Sequence, residues 1–196
     1  NKKAEPMSVL RTAVSMLADF DENFDFKSHD ENYRRSIEIT AKIPTIIAAF
    51  DRVRNGKEIV APLHTGSTSF NFLYMLNGIE PGEKAEKMLD LCLILHAEHG
   101  MNASTFTARA VCSTEADIYS AVTGALGSLK GPLHGGANEQ VMHTMKEIGS
   151  PENAEKWLMD KLAKKEKVMG FGHRVYKNYD PRAAVLRETC KEVLSE

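Results

Sequence analysis

The sequence lacks paired cysteines, long apolar runs and an excess of either charge, and each absence removes a class of protein. Its three cysteines, Cys92, Cys112 and Cys190, form no C-x-x-C pair, so no zinc knuckle or redox motif is available. The mostly apolar run Leu89–Leu95 contains Asp90 and is far too short to span a membrane. With 25 basic and 27 acidic residues, the net charge of −2 gives no reason to expect a nucleic-acid-binding or membrane-surface protein.

What is present is the composition of an ordinary globular protein. The chain has 196 residues, of which 42% are hydrophobic and 27% charged, enough for one large domain or two small ones. The first residues lack the apolar core of a secretory signal peptide. Cys92 and Cys112 have apolar neighbours, so we expect packed thiols in a reducing compartment, the cytoplasm.

Helical periodicity runs through nearly the whole sequence. Apolar residues recur at steps of three and four in several stretches, as at Met7, Leu10, Val14 and Leu17. Longer helices are predicted over residues 32–54 and 67–77, with one or two more over 103–129. No stretch shows the alternating pattern of a strand. The sequence therefore predicts an all-α fold.

Glycine and proline cluster at one point that is a candidate hinge. Residues 127–136 hold four glycines and one proline, which makes a poor helix. This stretch is therefore the best candidate for a domain edge.

His134 lies within this glycine-rich stretch, directly before a predicted helix. The positive end of a helix disfavours the imidazolium form, so a histidine held there tends to stay neutral. A neutral imidazole can donate a hydrogen bond to a developing oxyanion, and the flanking glycines let a substrate approach the backbone closely. The alternative is an ordinary loop histidine beside a turn.

A second histidine, His173, lies in a segment dense in polar chemistry. Residues 170–182 contain two arginines, one lysine, two tyrosines and one aspartate besides this histidine. Asp180 and Pro181 predict a helix start, which places Arg182 in the first turn, where its cation opposes the helix dipole. That position suggests an anionic partner, a carboxylate or phosphate. The alternative is a solvated charged loop.

A third histidine setting is the stretch around His96, Glu98 and His99. The two histidines are three residues apart on a predicted helix and are therefore neighbours. Their spacing matches neither H-E-x-x-H nor H-x-x-E-H. A metal site, a core histidine at position 99 and a ligand-facing histidine at position 99 stay open as interpretations.

At these segments the chain resembles the citrate synthase family, which includes 2-methylcitrate synthase, in its bacterial form. Residues 170–182 match the family signature around one catalytic histidine, and residues 131–139 match the segment around the other. Residues 95–106 and 5–14 are also similar to the family. The resemblance covers essentially the whole chain.

The resemblance implies a Claisen-type condensation of acetyl-CoA with oxaloacetate that yields citrate and CoA. His134 would hydrogen-bond the thioester or enol oxygen, and His173 would polarise the oxaloacetate carbonyl. His99 and Arg182 would hold the carboxylates of oxaloacetate. The resemblance implies acetyl-CoA as a co-substrate, with neither a permanently bound cofactor nor a metal.

Further expectations follow from the same resemblance. It implies part of a large helical domain over residues 1–133 and part of a smaller helical domain over residues 134–196. CoA contacts are implied for the side chain of Lys177 and for the backbone of Met169, Gly170, Phe171 and Gly172. A homodimer formed through large-domain helices is implied as well, with no nucleic-acid or membrane partner.

The family's catalytic base is an aspartate downstream of the His173 segment, and none of the aspartates here corresponds to it. We therefore expect an internal fragment without meaningful synthase activity, because losing a positioned base costs ~10²–10⁴-fold. Two alternatives stay open: a 2-methylcitrate synthase that uses propionyl-CoA, and a helical interaction module without catalysis.

Overall fold

The computed structural model describes residues 1–22, 25, 27–97, 100–172 and 176–194, with the backbone alone for 192–194. All regular structure in these ranges is helical, which confirms the all-α prediction. The α-helices are α1 Pro6–Met16, α2 His29–Arg54, α3 Thr68–Asn77, α4 Glu83–Ala97, α5 Ala103–Cys112, α6 Ile118–Leu129, α7 Gly136–Ile148, α8 Ala154–Ala163 and α9 Pro181–Leu194. None of the described helices is long and apolar enough to cross a lipid bilayer.

Polar side chains that cap the first turn determine where several helices begin. At α1, the Glu5 carboxylate accepts hydrogen bonds from the backbone N–H groups of Met7 (2.9 Å) and Ser8 (2.8 Å). Ser28 caps α2, which therefore begins at His29 rather than at the predicted residue 32. Ser67 caps α3 in the same way.

The predicted helical stretch over residues 103–129 forms two helices, α5 and α6. The chain leaves α5 through a turn in which Glu115 has a φ of 62°, in the left-handed region. A residue in this conformation cannot continue a right-handed helix, so the stretch is divided at this turn.

Contacts divide the chain into two compact units. The first comprises Asn1–Gly127 with Pro181–Glu196, and the second comprises Ser128–Asp180. Helix α9 thus belongs to the first unit, where it packs against α4. The expected domain boundary between residues 133 and 134 stays a prediction.

The core of the first unit lies around α2, which packs against both α1 and α3. Leu10 and Val14 are buried, as the periodicity of α1 predicts. The other buried apolar residues are Ile39, Ala48, Met75, Tyr119, Ala121 and Leu126. The expectation of a packed thiol at Cys112 is wrong: this last residue of α5 is exposed, whereas Cys92 is half-buried.

A polar cluster also lies in this interior. Arg35 of α2 is only 6% exposed, and its guanidinium binds the Asp21 carboxylate through Nε and Nη2. The Tyr119 hydroxyl of α6 donates to Asp21 Oδ2 at 2.6 Å. Burial opposes the ionisation of Asp21, but the hydrogen bonds from Tyr119 and Arg35 outweigh it and lower the pKa of Asp21. Burial and the neighbouring Asp21 raise the pKa of Tyr119.

In the second unit, α7 and α8 are joined by a short 3-10 helix at Pro151–Asn153. The Trp157 indole of α8 donates to Glu147 Oε2 of α7 at 3.0 Å. Leu158 and Met159 of α8 and Met145 of α7 are exposed, although the apolar periodicity of both helices is regular.

Candidate active site

His134 lies in the loop that leads into α7, as the sequence predicts. The loop folds back on itself, because the backbone N–H of His134 donates to the Gly131 carbonyl at 2.9 Å. The N-cap residue Gly135 has no side chain to cap α7. The positive end of this helix is therefore adjacent to the imidazole, which is half-buried.

The two glycines after His134 are required by space rather than by unusual backbone angles. A Cβ on Gly135 would come within 2.5 Å of Leu129 Cδ1 and 2.7 Å of the Leu129 carbonyl oxygen. A Cβ on Gly136 would come within 2.6 Å of the Lys130 carbonyl oxygen. Any larger residue would push the loop away from the end of α6 and displace His134.

The segment after α8 also depends on glycine. Gly170 and Gly172 have φ values of 88° and 76°, in the left-handed region that glycine adopts readily. A Cβ on Gly170 would also meet Val141 Cγ2 of α7 at 3.0 Å. Between these glycines, Phe171 is 78% exposed. The backbone is thus open to a ligand at 170–172.

A groove of about 970 Å³ in the second unit brings these two segments together. The groove is lined by His134 and its neighbours Leu133 and Ala137, by Leu162 of α8, and by residues 166–172 and 176–180. The predicted site residues His134, Met169, Gly170, Phe171, Gly172 and Lys177 all lie along it. A volume of this size suits a ligand larger than a simple metabolite.

The groove carries charges of both signs. Lys167 and Lys177 contribute cations, and Glu166 and Asp180 contribute carboxylates. Lys161 of α8 donates to Glu166 Oε2 at 2.9 Å, and this hydrogen bond lowers the pKa of Glu166. Glu166 is therefore ionised at neutral pH and is partly neutralised by its partner.

Arg182 lies in the first unit, in the first turn of α9, as the sequence predicts. Its Nη1 donates to the backbone carbonyl of Leu95 at 3.3 Å. This carbonyl belongs to the last turn of α4, where the helix dipole favours a cation. The α4 C-terminus thus holds the guanidinium that the resemblance assigns to a substrate carboxylate.

Two predicted site residues, His173 and His99, lie outside the described residues, and so does Glu98. His96 is described, and its Nδ1 lies 2.6 Å from the Cys92 carbonyl oxygen, so this nitrogen donates to the backbone. Within the described ranges, no group of three or more His, Cys, Asp or Glu side chains could hold a metal ion.

Sequence reasoning missed Glu166, Tyr176, Tyr179 and Asp180 as lining residues of the groove. The last three belong to the signature segment 170–182, so their proximity to it was a usable signal. Glu166 follows a lysine-rich helix end and has the sequence context of an ordinary solvated residue.

Comparison with known proteins assigns the chain to a family. The family model described as "Citrate synthase, C-terminal domain" matches residues 1–196. Citrate synthase 2 of Bacillus subtilis (strain 168) is 52% identical over 192 residues, which is 98% of this chain and 52% of that protein. The 2-methylcitrate synthase 1 of Corynebacterium glutamicum is 48% identical over 195 residues, covering 96% of this chain and 51% of that protein.

Solved structures give the same result. Citrate synthase from Pyrobaculum aerophilum superposes with a TM-score of 0.88 at 40% identity, over 99% of this chain and 51% of that one. Citrate synthase from Thermoplasma acidophilum, solved as a ternary complex with carboxymethyl coenzyme A and oxaloacetate, has a TM-score of 0.87 at 30% identity. It matches 100% of this chain and 51% of that one.

The chain therefore belongs to the citrate synthase family, a family of acyltransferases, and the predicted resemblance is confirmed. It spans about half the length of the curated relatives it matches.

Proposed function

We propose that a protein of the relatives' full length that includes this chain condenses acetyl-CoA with oxaloacetate to citrate and CoA. The proposal rests on the groove within residues 128–180, which is lined by His134, by a glycine-rich backbone segment and by Lys177. A relative of the same fold has been solved with a CoA analogue and oxaloacetate bound.

His134 would supply electrophilic assistance. A base removes a proton from the acetyl methyl group, and the thioester oxygen gains negative charge as the enolate forms. The imidazole of His134, beside the N-terminus of α7, donates a hydrogen bond to this oxygen, and removing such a donor typically costs about 10²–10³ in kcat. The enolate carbon then bonds to the ketone carbon of oxaloacetate, whose oxygen takes up a proton. Water finally cleaves the thioester and releases the CoA thiol.

The remaining predicted residues would position the substrates. The exposed backbone at 169–172 and the Lys177 cation suit the CoA moiety, while His173 would polarise the oxaloacetate carbonyl. Arg182 and His99 would bind its carboxylates. Arginine is suited to this role because its planar fork donates two parallel hydrogen bonds to one carboxylate. The resemblance assigns the base to an aspartate downstream of the His173 segment.

The experiment is a thiol-release assay on the full-length protein with acetyl-CoA, with and without oxaloacetate. Oxaloacetate-dependent release of one thiol per citrate formed is the expected result. Thiol release that is independent of oxaloacetate would show that the protein hydrolyses acetyl-CoA instead. The absence of release would favour the non-catalytic helical module. The 196-residue chain, assayed beside it, is expected to show no meaningful turnover.

A second candidate reaction uses propionyl-CoA and yields 2-methylcitrate. Two relatives named 2-methylcitrate synthase are 48% and 50% identical to this chain. They are about as similar to it as the relatives named citrate synthase. One methylene changes a pocket's preference by only ~1–3 kcal/mol, or roughly 10–200-fold. The ratio of kcat/KM for the two acyl-CoA substrates decides between the reactions.

We also propose that the protein forms a homodimer in the cytoplasm. Leu93 and Ile94 of α4 are 45% and 62% exposed, and Ile37 and Ile47 of α2 are exposed as well, so both helices present apolar surface for a partner. Three free thiols suit a reducing compartment. Light scattering on the full-length protein tests the dimer.

A further inference from the structure

Glu166 is an unexpected residue in a groove proposed to bind CoA. Glu166 lines the groove together with Asp180, Lys167 and Lys177, whereas CoA carries several phosphate charges. An unneutralised carboxylate would repel such a ligand, and this repulsion is strongest at low ionic strength. Binding of such a ligand therefore requires a partner that neutralises the charge of Glu166.

Lys161 is this partner, and it forms an ion pair with Glu166 without itself lining the groove. Its Nζ lies 2.9 Å from Glu166 Oε2 and 4.0 Å from Glu147 Oε2. The same ammonium group lies 5.3 Å from the centre of the Trp157 ring, and the Trp157 indole in turn donates to Glu147. The side chain of Lys161 is only 26% exposed. It is thus fixed on three sides rather than free to sample solvent.

The backbone reinforces the same arrangement. The N–H of Glu166 donates to the Lys161 carbonyl at 3.0 Å, and Lys165 between them has a φ of 56°. This left-handed turn brings Glu166 back over the last turn of α8. The ion pair therefore forms between two residues whose backbones are also hydrogen-bonded.

We propose that Lys161 is a positioning residue for acyl-CoA binding, which holds and neutralises the Glu166 carboxylate at the groove so that the anionic part of CoA can bind. The proposal rests on the proposed function, because it takes CoA to be the ligand of this groove. Lys161 acts through Glu166 and is not itself placed in contact with the ligand.

The chain offers a matched control one turn away. Lys164 pairs with Asp160 at 2.7 Å, again near the C-terminus of α8. Neither residue of this pair is among the described residues that line the groove. Lys164→Met therefore removes the same charge from the same helix end but leaves the hydrogen bond between Lys161 and Glu166 in place, so that only the weaker, longer-range attraction of Lys164 for Glu166 is lost.

The test measures the Kd of CoA by calorimetry in the full-length protein and its variants at about 50 mM salt. Lys161→Met is expected to weaken CoA binding by about threefold to fivefold, the upper range of a partly screened charge pair, and Lys164→Met by less than about twofold. Lys161→Arg keeps the positive charge and should bind CoA as tightly as the unmodified protein. Glu166→Gln in the Lys161→Met background should restore binding, because the repelling charge is gone. In the thiol-release assay the loss should appear in KM for acetyl-CoA and not in kcat.

Several outcomes would overturn the proposal. One is an equal loss in Lys161→Met and Lys164→Met, and another is a loss in Lys161→Met that Glu166→Gln does not reverse. A loss that does not shrink as salt is raised would also contradict it. If Lys161→Met misfolds by circular dichroism, Glu166→Gln alone is decisive: it should bind CoA as tightly as the unmodified protein or more tightly. Absence of CoA binding by the unmodified protein would instead overturn the proposed function itself.

Discussion

Replacing Tyr119 with phenylalanine tests whether the buried polar cluster holds the first unit together. The substitution keeps the ring, which is only 3% exposed, and removes the hydroxyl that donates to Asp21 at 2.6 Å. A hydrogen bond to an ionised group contributes about 1.5–3 kcal/mol. Because Arg35 still binds Asp21 in the variant, the carboxylate is not left without a partner. We therefore expect a loss near the lower end, about 1.5–2 kcal/mol.

Urea unfolding followed by circular dichroism measures this loss. In a chain of this size, 1 kcal/mol corresponds to roughly 2–4 °C in Tm, so a fall of about 3–8 °C should accompany it. Hydrogen exchange should locate the change in α2 and α6, which contribute Arg35 and Tyr119 to the cluster.

Tyr33→Phe is the matched control. Tyr33 lies on α2 like Arg35 but is 66% exposed, so losing its hydroxyl should change the unfolding free energy by less than about 0.5 kcal/mol. A loss below about 0.5 kcal/mol in Tyr119→Phe, or an equal loss in both variants, would show that the hydrogen bond from Tyr119 to Asp21 does not stabilise the first unit.

Three further predictions concern stability. The folded-state pKa of Asp21 is lowered, so its contribution is present above the unfolded value of about 3.9 and is lost as the pH falls towards the folded value. The stability gap between the protein and its Asp21→Asn variant should therefore narrow from pH 6 to pH 3; a constant gap would contradict this. Lys165→Gly should stabilise the protein against urea by about 0.5–1 kcal/mol, because a φ of 56° suits glycine; a variant less stable than the unmodified protein would contradict this. Gly78→Ala should destabilise it by more than Gly56→Ala does. Both have positive φ, but only a Cβ at 78 meets Arg52, at 2.9 Å. Strain alone costs about 1–2 kcal/mol, and equal losses would show that this contact is harmless.

The sequence was sufficient for the fold class and for most helices because both depend on local signals. Periodicity identified the buried residues Leu10 and Val14 of α1, and the helix predicted over residues 67–77 matches α3 to within one residue. The sequence alone could not identify the buried cluster of Asp21, Arg35 and Tyr119. Arg35 lies in a charged run typical of a solvated helix face, and its carboxylate partner Asp21 binds a tyrosine 98 residues away. Such a pairing depends on how the helices pack.

The candidate site was predictable to the extent that its chemistry lies in contiguous segments. His134, the 169–172 backbone and Lys177 come from two short motifs, and the structure places them along one groove. Glu166 was not predictable, because its role depends on a backbone turn and on a lysine one helical turn earlier. The roles of His99 and His173 stay predictions.

The most direct test compares His134→Ala, which has no side-chain donor, with the unmodified full-length protein in the oxaloacetate-dependent thiol-release assay. The expected result is that kcat falls by about 10²–10³ while the Kd of CoA stays within about twofold, because His134 acts on developing charge and not on CoA binding. Unchanged turnover in the variant, or the absence of oxaloacetate-dependent release in the unmodified protein, would contradict it.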